Sequence, residues 1–192
     1  MQTNNHIAVF ASGTGTTLQA LVDQQTAYGY HVALVVTNRE CQAQERAQAA
    51  GIPSLVTKDW CEIDKALADY QIQLIVLAGY LAIIPEWICT QWAQRIINIH
   101  PSLLPRHGGK GMYGIRVQEA VLASGDTLAG CTVHYVSAEV DGGHIIAQAT
   151  IDVLPNDTPQ TLSQRVQEQE KLLLPRTIAE MIQHTPFVNS TL

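Results

Sequence analysis

The sequence predicts an open, doubly wound α/β fold: a mostly parallel sheet with helices on both faces and an antiparallel strand addition toward the C-terminus. Three observations support that expectation. From His6 to His100, short apolar runs alternate with helix-length segments, the pattern of strands joined by crossover helices. The run QLIVLAG, Gln73 to Gly79, is apolar at almost every position, as a strand covered on both faces must be. Beyond Gly130 the pattern changes to β-branched alternation around Asp141-Gly142-Gly143, which reads as two antiparallel strands joined by a turn.

The elements follow in order. HIAVFAS, His6 to Ser12, is the first strand, and TTLQALVDQQ after it is a helix. HVALVVTN, His31 to Asn38, is the second strand, and AQERAQAAG is a helix closed by Gly51, since glycine accepts the left-handed conformation at a helix end. PSLVTK is a weaker strand and EIDKALADY a short helix. After the strand at Gln73 to Gly79, PEWICTQWAQ opens with Pro85, whose fixed φ and missing N–H suit a first helical turn. RIINIH, Arg95 to His100, is the next strand. The last long helix covers Leu162 to Gln183, with Pro175 a candidate kink. No repeat, linker or low-complexity tract interrupts the chain, so residues 1–192 are expected to form a single domain.

Composition narrows the function classes. Hydrophobic residues make up 46% of the 192 and charged residues 15%, enough for a sizeable core and too apolar for a disordered chain. A formal net charge of −6 argues against a general nucleic-acid or membrane-surface role, so an anionic ligand needs a local site. Cys41, Cys61, Cys89 and Cys131 are scattered, without a C-x-x-C pair. They read as core fillers in a reducing compartment, not a disulfide framework or zinc site. MQTNNHIAVF carries no basic region ahead of a long apolar stretch, and the apolar run 74–84 is too short to cross a bilayer. The expectation is a cytoplasmic protein with no metal, no nucleic-acid partner and no membrane contact. Nothing in the sequence speaks to oligomeric state.

ASGTGTTLQAL follows the first strand and opens the first helix. Free backbone N–H groups and the positive end of a helix dipole make such a turn an anion site. Gly13 and Gly15 permit close backbone approach, and Thr16 and Thr17 can cap the helix or donate hydroxyl bonds. Leu18 stands at the third glycine position of a dinucleotide fingerprint, no acidic residue ends the second strand, and no Gly-Lys-Ser/Thr completes a P-loop. Two readings remain: a monophosphate site, or a tight turn with a threonine cap and no ligand.

In an extended strand, side chains two apart share a face. Asn98 and His100 therefore converge at the carboxyl end of a parallel strand, where open α/β sheets bind ligands. An asparagine N–H₂ can donate to a developing oxyanion, and a histidine can donate a second bond or move a proton. Neither is a conventional nucleophile and no cysteine or G-x-S-x-G elbow lies nearby, so the pair suits direct attack of a substrate amine on a carbonyl. Asp141 is the candidate third member, because a carboxylate beside an imidazole orients it and stabilises its charged form. Taken singly, each has a bland reading too: a structural histidine at a strand end, and an Asp-Gly hairpin turn.

SGTGTTLQAL, LIVLAGYLAIIP, INIHPSLLP, GCTVHYVSAEVDGG and RVQEQE, in that order over most of the chain, resemble the phosphoribosylglycinamide formyltransferases, folate-dependent enzymes of purine synthesis. The N-x-H-P-S-L-L-P segment with a downstream D-G-G is specific to folate formyltransferases, and the glycine loop narrows it to the glycinamide ribonucleotide branch. The resemblance implies the formyltransferase fold and formyl transfer from 10-formyltetrahydrofolate, as co-substrate, to the amine of 5-phosphoribosylglycinamide (GAR), without a metal. It implies that His100 is the proton donor, that Asn98 binds the formyl oxygen, and that Asp141 supports His100 directly or through water. Gly15, Thr16 and Thr17 match the loop that takes the GAR phosphate. Gln167, Glu168, Gln169 and Glu170 match the segment touching the same substrate, with Glu170 on ribose hydroxyls. Leu81, Ala82, Ile83 and Ile84, with Ser137, Ala138, Glu139 and Val140, match the folate pocket walls, where Asn98 and Asp141 also belong.

The chain departs from the family pattern in places. Thr17 stands where many members have asparagine, Leu81-Ala82-Ile83-Ile84 replaces a pattern containing arginine, and RHGGKGMYGIRV resembles a subset with G-K-G-x-Y-G. Lys110 there reads as a contact for an anion, such as a folate glutamate tail, or as a solvated loop lysine. His107 is expected to face solvent. His134, in the alternating TVHYV, is either a partner of Asp141 or a packed core residue. Glu168 alone reads as a solvated helix face, and His6, His31 and His184 have no companions.

Overall fold

The computed structural model describes residues 5–184. They fold as two compact units, one from the residues up to Ala82 together with those from Pro175 onward, the other from Ile83–Leu174.

In the first unit, β1 (His6–Ala11), α1 (Thr16–Tyr28), β2 (His31–Thr37), α2 (Gln42–Ala49), β3 (Ser54–Val56), α3 (Trp60–Asp69) and β4 (Leu74–Leu77) alternate as strand and helix. The strands lie in the order β3-β2-β1-β4, and each neighbouring pair is parallel. β1, β2 and β4 are buried at nearly every position, because the helices that connect parallel strands cover the sheet. Helix ends follow local chemistry. α1 starts at Gly15 (φ 69) with no side-chain cap, and ends at Gly29 (φ 75), whose N–H donates to the Gln25 carbonyl. α3 begins at Trp60, ahead of the expected EIDKALADY, because the Asp59 carboxylate accepts from the Cys61 N–H at 2.9 Å. Cys61 itself is exposed, which corrects the reading of all four cysteines as core fillers; only Cys89 and Cys131 are buried.

The second unit holds α4 (Glu86–Gln91), β5 (Ile96–His100), α5 (Ile115–Ala123), β6 (Leu128–Tyr135), β7 (Ile145–Asp152) and the first part of α6 (Pro159–His184). β5, β6 and β7 are neighbours in that order and antiparallel, the C-terminal addition that the β-branched alternation predicts. The sequence reading places no helix between Gly114 and Gly130, yet α5 occupies part of that stretch. Its start carries no side-chain cap, since Gly114 is the cap residue, and a glycine-rich run precedes it. The usable signal was Val117 and Val121, buried one turn apart. α6 starts at Pro159, ahead of the expected Leu162, where the Thr158 hydroxyl accepts from the Thr161 N–H at 3.2 Å, and the helix continues through Pro175.

Along α6, Leu162, Val166, Glu170 and Leu174 are all buried, a row at helical spacing. Glu170 thus occupies a position that the packing reserves for an apolar side chain. Burial raises its carboxyl pKa from 4.5 to about 7, with Lys171 pulling weakly the other way. Such a group holds more protons folded than unfolded, so its contribution to stability falls as pH rises from about 4.5 to about 7. Glu170→Gln is predicted to remove that part of the slope. Urea midpoints of both proteins at a mildly acidic and a neutral pH check it, and an unchanged slope in the variant contradicts it.

Candidate active site

The site begins as a register. β5 carries Asn98 and His100 on one face, and its antiparallel partner sets His134 opposite Asn98 and Thr132 opposite His100. Directly opposed residues bring their side chains together, and the Asn98 Nδ2 lies 3.1 Å from His134 Nε2. On the other side of the ring, His134 Nδ1 lies 2.9 Å from the Tyr135 carbonyl.

His134 is 2% exposed. Burial lowers its pKa below 6.5, the Tyr135 carbonyl and Asp141 oppose that, and His100 adds to it. The ring is therefore neutral at pH 7 and carries one proton. A carbonyl only accepts, so that proton sits on Nδ1 and donates to Tyr135, leaving a lone pair on Nε2. The lone pair accepts from the Asn98 amide, and this fixes which end of the amide is the NH₂. One of its two N–H groups is used there; the other is a donor on the same face of β5 as His100.

His100 is 4% exposed. Its Nε2 lies 2.9 Å from the His107 carbonyl, so Nε2–H donates there. Its Nδ1 faces Asp141 Oδ2 at 3.5 Å, too long for a strong hydrogen bond but within charge–charge reach. Asp141 Oδ2 also accepts from the Gly109 N–H at 2.9 Å, and Oδ1 lies 3.6 Å from His134 Nε2. Because His134 is neutral, this last approach is no ion pair. Asp141 is set by an unusual turn. Its φ is 57, in the left-handed region, and a Cβ on Gly143 would strike the Tyr135 carbonyl. Gly143 is thus a steric requirement of the path that returns Asp141 to the imidazoles.

The structure brings Asn98, His100 and Asp141 together, with His134 as the partner the sequence left undecided: it contacts both Asn98 and Asp141. His107 corrects an expectation. Its side chain is 14% exposed, not solvent-facing, and its Nε2 donates to Asp126 Oδ2 at 2.7 Å. No sequence spacing signals that pair. Ser137, Ala138, Glu139 and Val140 are exposed, as are Leu81 and Ile83, while Ile84 is buried. Gln167 and Glu168 face solvent and Glu170 is buried.

The glycine loop belongs to the first unit and has its own chemistry. Thr16 and Thr17 lie inside α1, and neither caps it, which corrects the threonine-cap reading. The Arg39 guanidinium donates from Nε and Nη2 to the Ser12 carbonyl at 2.9 and 2.7 Å, and Arg46 Nε donates to the Thr14 carbonyl at 2.8 Å. Two cations thus sit on the loop backbone, a local exception to the chain's negative balance that motif reading missed because neither lies in the motif. Gly15 packs against α2, where an added Cβ would come within 2.8 Å of the Ala43 Cα. Among the described residues, no group of three or more His, Cys, Asp or Glu could hold a metal ion, and no helix is long and apolar enough to cross a membrane.

Residues 5–178 match the formyl transferase family. The chain is 38% identical to the trifunctional purine biosynthetic protein adenosine-3 of Drosophila melanogaster, over 98% of this chain and 15% of that protein. It is 37% identical to the phosphoribosylglycinamide formyltransferase of Haemophilus influenzae, over 90% of this chain and 84% of that one. The crystal structure of phosphoribosylglycinamide formyltransferase from Anaplasma phagocytophilum aligns with a TM-score of 0.86 at 36% identity, covering 93% of this chain and 87% of that one. The chain so spans a small part of the insect protein and most of the two bacterial ones. By sequence and by fold alike, it belongs to the formyl transferase family.

Proposed function

We propose that the chain transfers a formyl group from 10-formyltetrahydrofolate to the amine of 5-phosphoribosylglycinamide, giving formyl-GAR and tetrahydrofolate in de novo purine synthesis in the cytoplasm, with residues 1–192 acting as one formyltransferase domain. The observation that carries this reading is the oriented Asn98 amide beside a His100 imidazole that faces Asp141. It supplies a donor for an oxyanion and a route for a proton without a protein nucleophile.

The unprotonated amine of GAR attacks the formyl carbon, and the carbonyl electron pair moves onto oxygen. The second Asn98 N–H and the His100 ring stabilise that oxyanion. When it collapses, the bond from the formyl carbon to the folate nitrogen breaks. One proton must leave the attacking nitrogen and one must reach the leaving nitrogen. Because His100 Nε2–H is engaged by the His107 carbonyl, the proton in play is the one at Nδ1, on the Asp141 side, passed through water where needed.

The remaining assignments rest on the family match. Gly15, Thr16 and Thr17 take the GAR phosphate, which the uncapped N–H groups opening α1 suit. Gln167, Glu168, Gln169 and Glu170 face the rest of GAR, with Glu170 on ribose hydroxyls. Its raised pKa, about 7, lets it donate or accept there near neutral pH. Leu81, Ala82, Ile83, Ile84, Ser137, Ala138, Glu139 and Val140 border the folate, together with Asn98 and Asp141.

Purified protein mixed with a 10-formylfolate analogue, with and without GAR, tests the proposal: deformylation should require GAR. Deformylation without acceptor would instead indicate a hydrolase, and none at all would indicate a phosphate-binding module without this chemistry. In the same assay His100→Ala is predicted to keep GAR binding and lose about 10²–10⁴-fold in kcat; turnover like the parent's rejects the role. His134→Ala frees the Asn98 amide to rotate, and kcat is predicted to fall about 10–100-fold with KM for GAR little changed. A kcat within twofold of the parent contradicts the orientation argument.

A further inference from the structure

The segment between β5 and α5 touches both members of the acid–base pair through its main chain. The His107 carbonyl receives Nε2–H of His100 at 2.9 Å, and the Gly109 N–H holds Asp141 Oδ2 at 2.9 Å. The backbone that presents these groups is constrained. His107 has φ 54, in the left-handed region, and a Cβ on Gly108 would run into the Leu104 side chain. The segment's beginning is tied to β6, where the Thr132 hydroxyl donates to the Ser102 carbonyl at 2.6 Å and accepts from the Leu104 N–H at 3.0 Å. The Ser102 hydroxyl in turn donates to the Arg106 carbonyl at 2.7 Å.

At the other end the tie is made by charge. His107 Nε2 lies 2.7 Å from Asp126 Oδ2, and an Arg106 Nη2 lies 2.6 Å from Oδ1. Asp126 sits between the end of α5 at Ala123 and the start of β6 at Leu128, so two regular elements anchor it. The hydrogen bond from His107 lowers its pKa, as do Ser124 and Arg106, and at neutral pH it is a carboxylate. Among the described residues, neither Asp126 nor the His107 ring hydrogen-bonds to Asn98, His100 or Asp141. Their chemistry bears only on where the His107 carbonyl and the Gly109 amide point.

We propose that the His107–Asp126 pair is a positioning clamp for the formyl transfer site: it holds the segment whose main chain orients His100 and Asp141. The inference rests on the function proposed above. Loss of the clamp lets the carbonyl and the amide drift from their partners, so the cost falls on the chemical step and not on substrate binding, since small misplacements of catalytic groups are expensive in rate.

The test is a double-mutant cycle on the full chain, with kcat and KM for both substrates and a thermal midpoint for each protein. His107→Phe keeps the ring volume but removes the N–H, and Asp126→Ala removes the acceptor. Each single change is predicted to lower kcat about tenfold with both KM values within about twofold. The double variant is predicted to lose about the same tenfold, not a hundredfold, because residues acting as a unit are non-additive. Asp126→Asn, which keeps an oxygen acceptor, should recover part of the loss, and it carries the test with His107→Phe if Asp126→Ala does not fold. Unchanged kcat in either single variant, losses that multiply, or a thermal midpoint that falls with kcat intact each overturn the clamp. Turnover of the parent protein with GAR is read independently, so failure of the assigned activity is distinguishable from failure of the clamp.

Discussion

The lone pair on His134 Nε2 is the constraint from which the site follows. It exists because the ring is buried and neutral, and because the Tyr135 carbonyl claims its single proton at Nδ1. An amide can present its oxygen or its nitrogen with almost the same shape, and only a hydrogen-bond partner decides between them. Here the partner accepts, so Asn98 turns its NH₂ inward. A donor is what a developing oxyanion needs, and a carbonyl oxygen in the same place would repel it. The cross-strand register of β5 and β6 sets this arrangement.

Around that fixed amide, His100 and Asp141 are each held by a backbone group. His100 gives Nε2–H to a carbonyl and Asp141 takes an N–H from an amide, both from one segment. A left-handed Asp141 and a Gly143 pressed against Tyr135 return the carboxylate to the imidazoles. His100 and His134 are both almost fully buried, so their electrostatic contacts are weakly screened.

Much of this was legible in the sequence, for identifiable reasons. Strand–helix alternation, the apolar run at β4 and the β-branched stretch after Gly130 report burial, and burial dictated the elements. Asn98 and His100 were legible as a pair because strand period places them on one face, whereas Asp141 with its two glycines read as well as a plain hairpin turn, and the resemblance joined it to them. What stayed hidden depended on contacts between residues distant in sequence. His107 and Asp126 meet through a turn that no spacing encodes, and the arginines on the glycine loop, Arg39 and Arg46, come from beyond the motif. α5 escaped notice because glycine supplies its start and no side chain caps it. Glu170 was marked only by the resemblance, as a contact for ribose hydroxyls; its burial follows from its place in the row of Leu162, Val166 and Leu174.

Nitrogen-15 NMR of the histidine rings reads the central claim most directly, because the shifts of Nδ1 and Nε2 separate the two neutral tautomers from the imidazolium. At pH 7 the His134 ring should show a protonated Nδ1 and a bare Nε2, coupled across a hydrogen bond to the Asn98 amide. A proton on Nε2, or a doubly protonated ring, would turn the Asn98 oxygen inward and contradict the account.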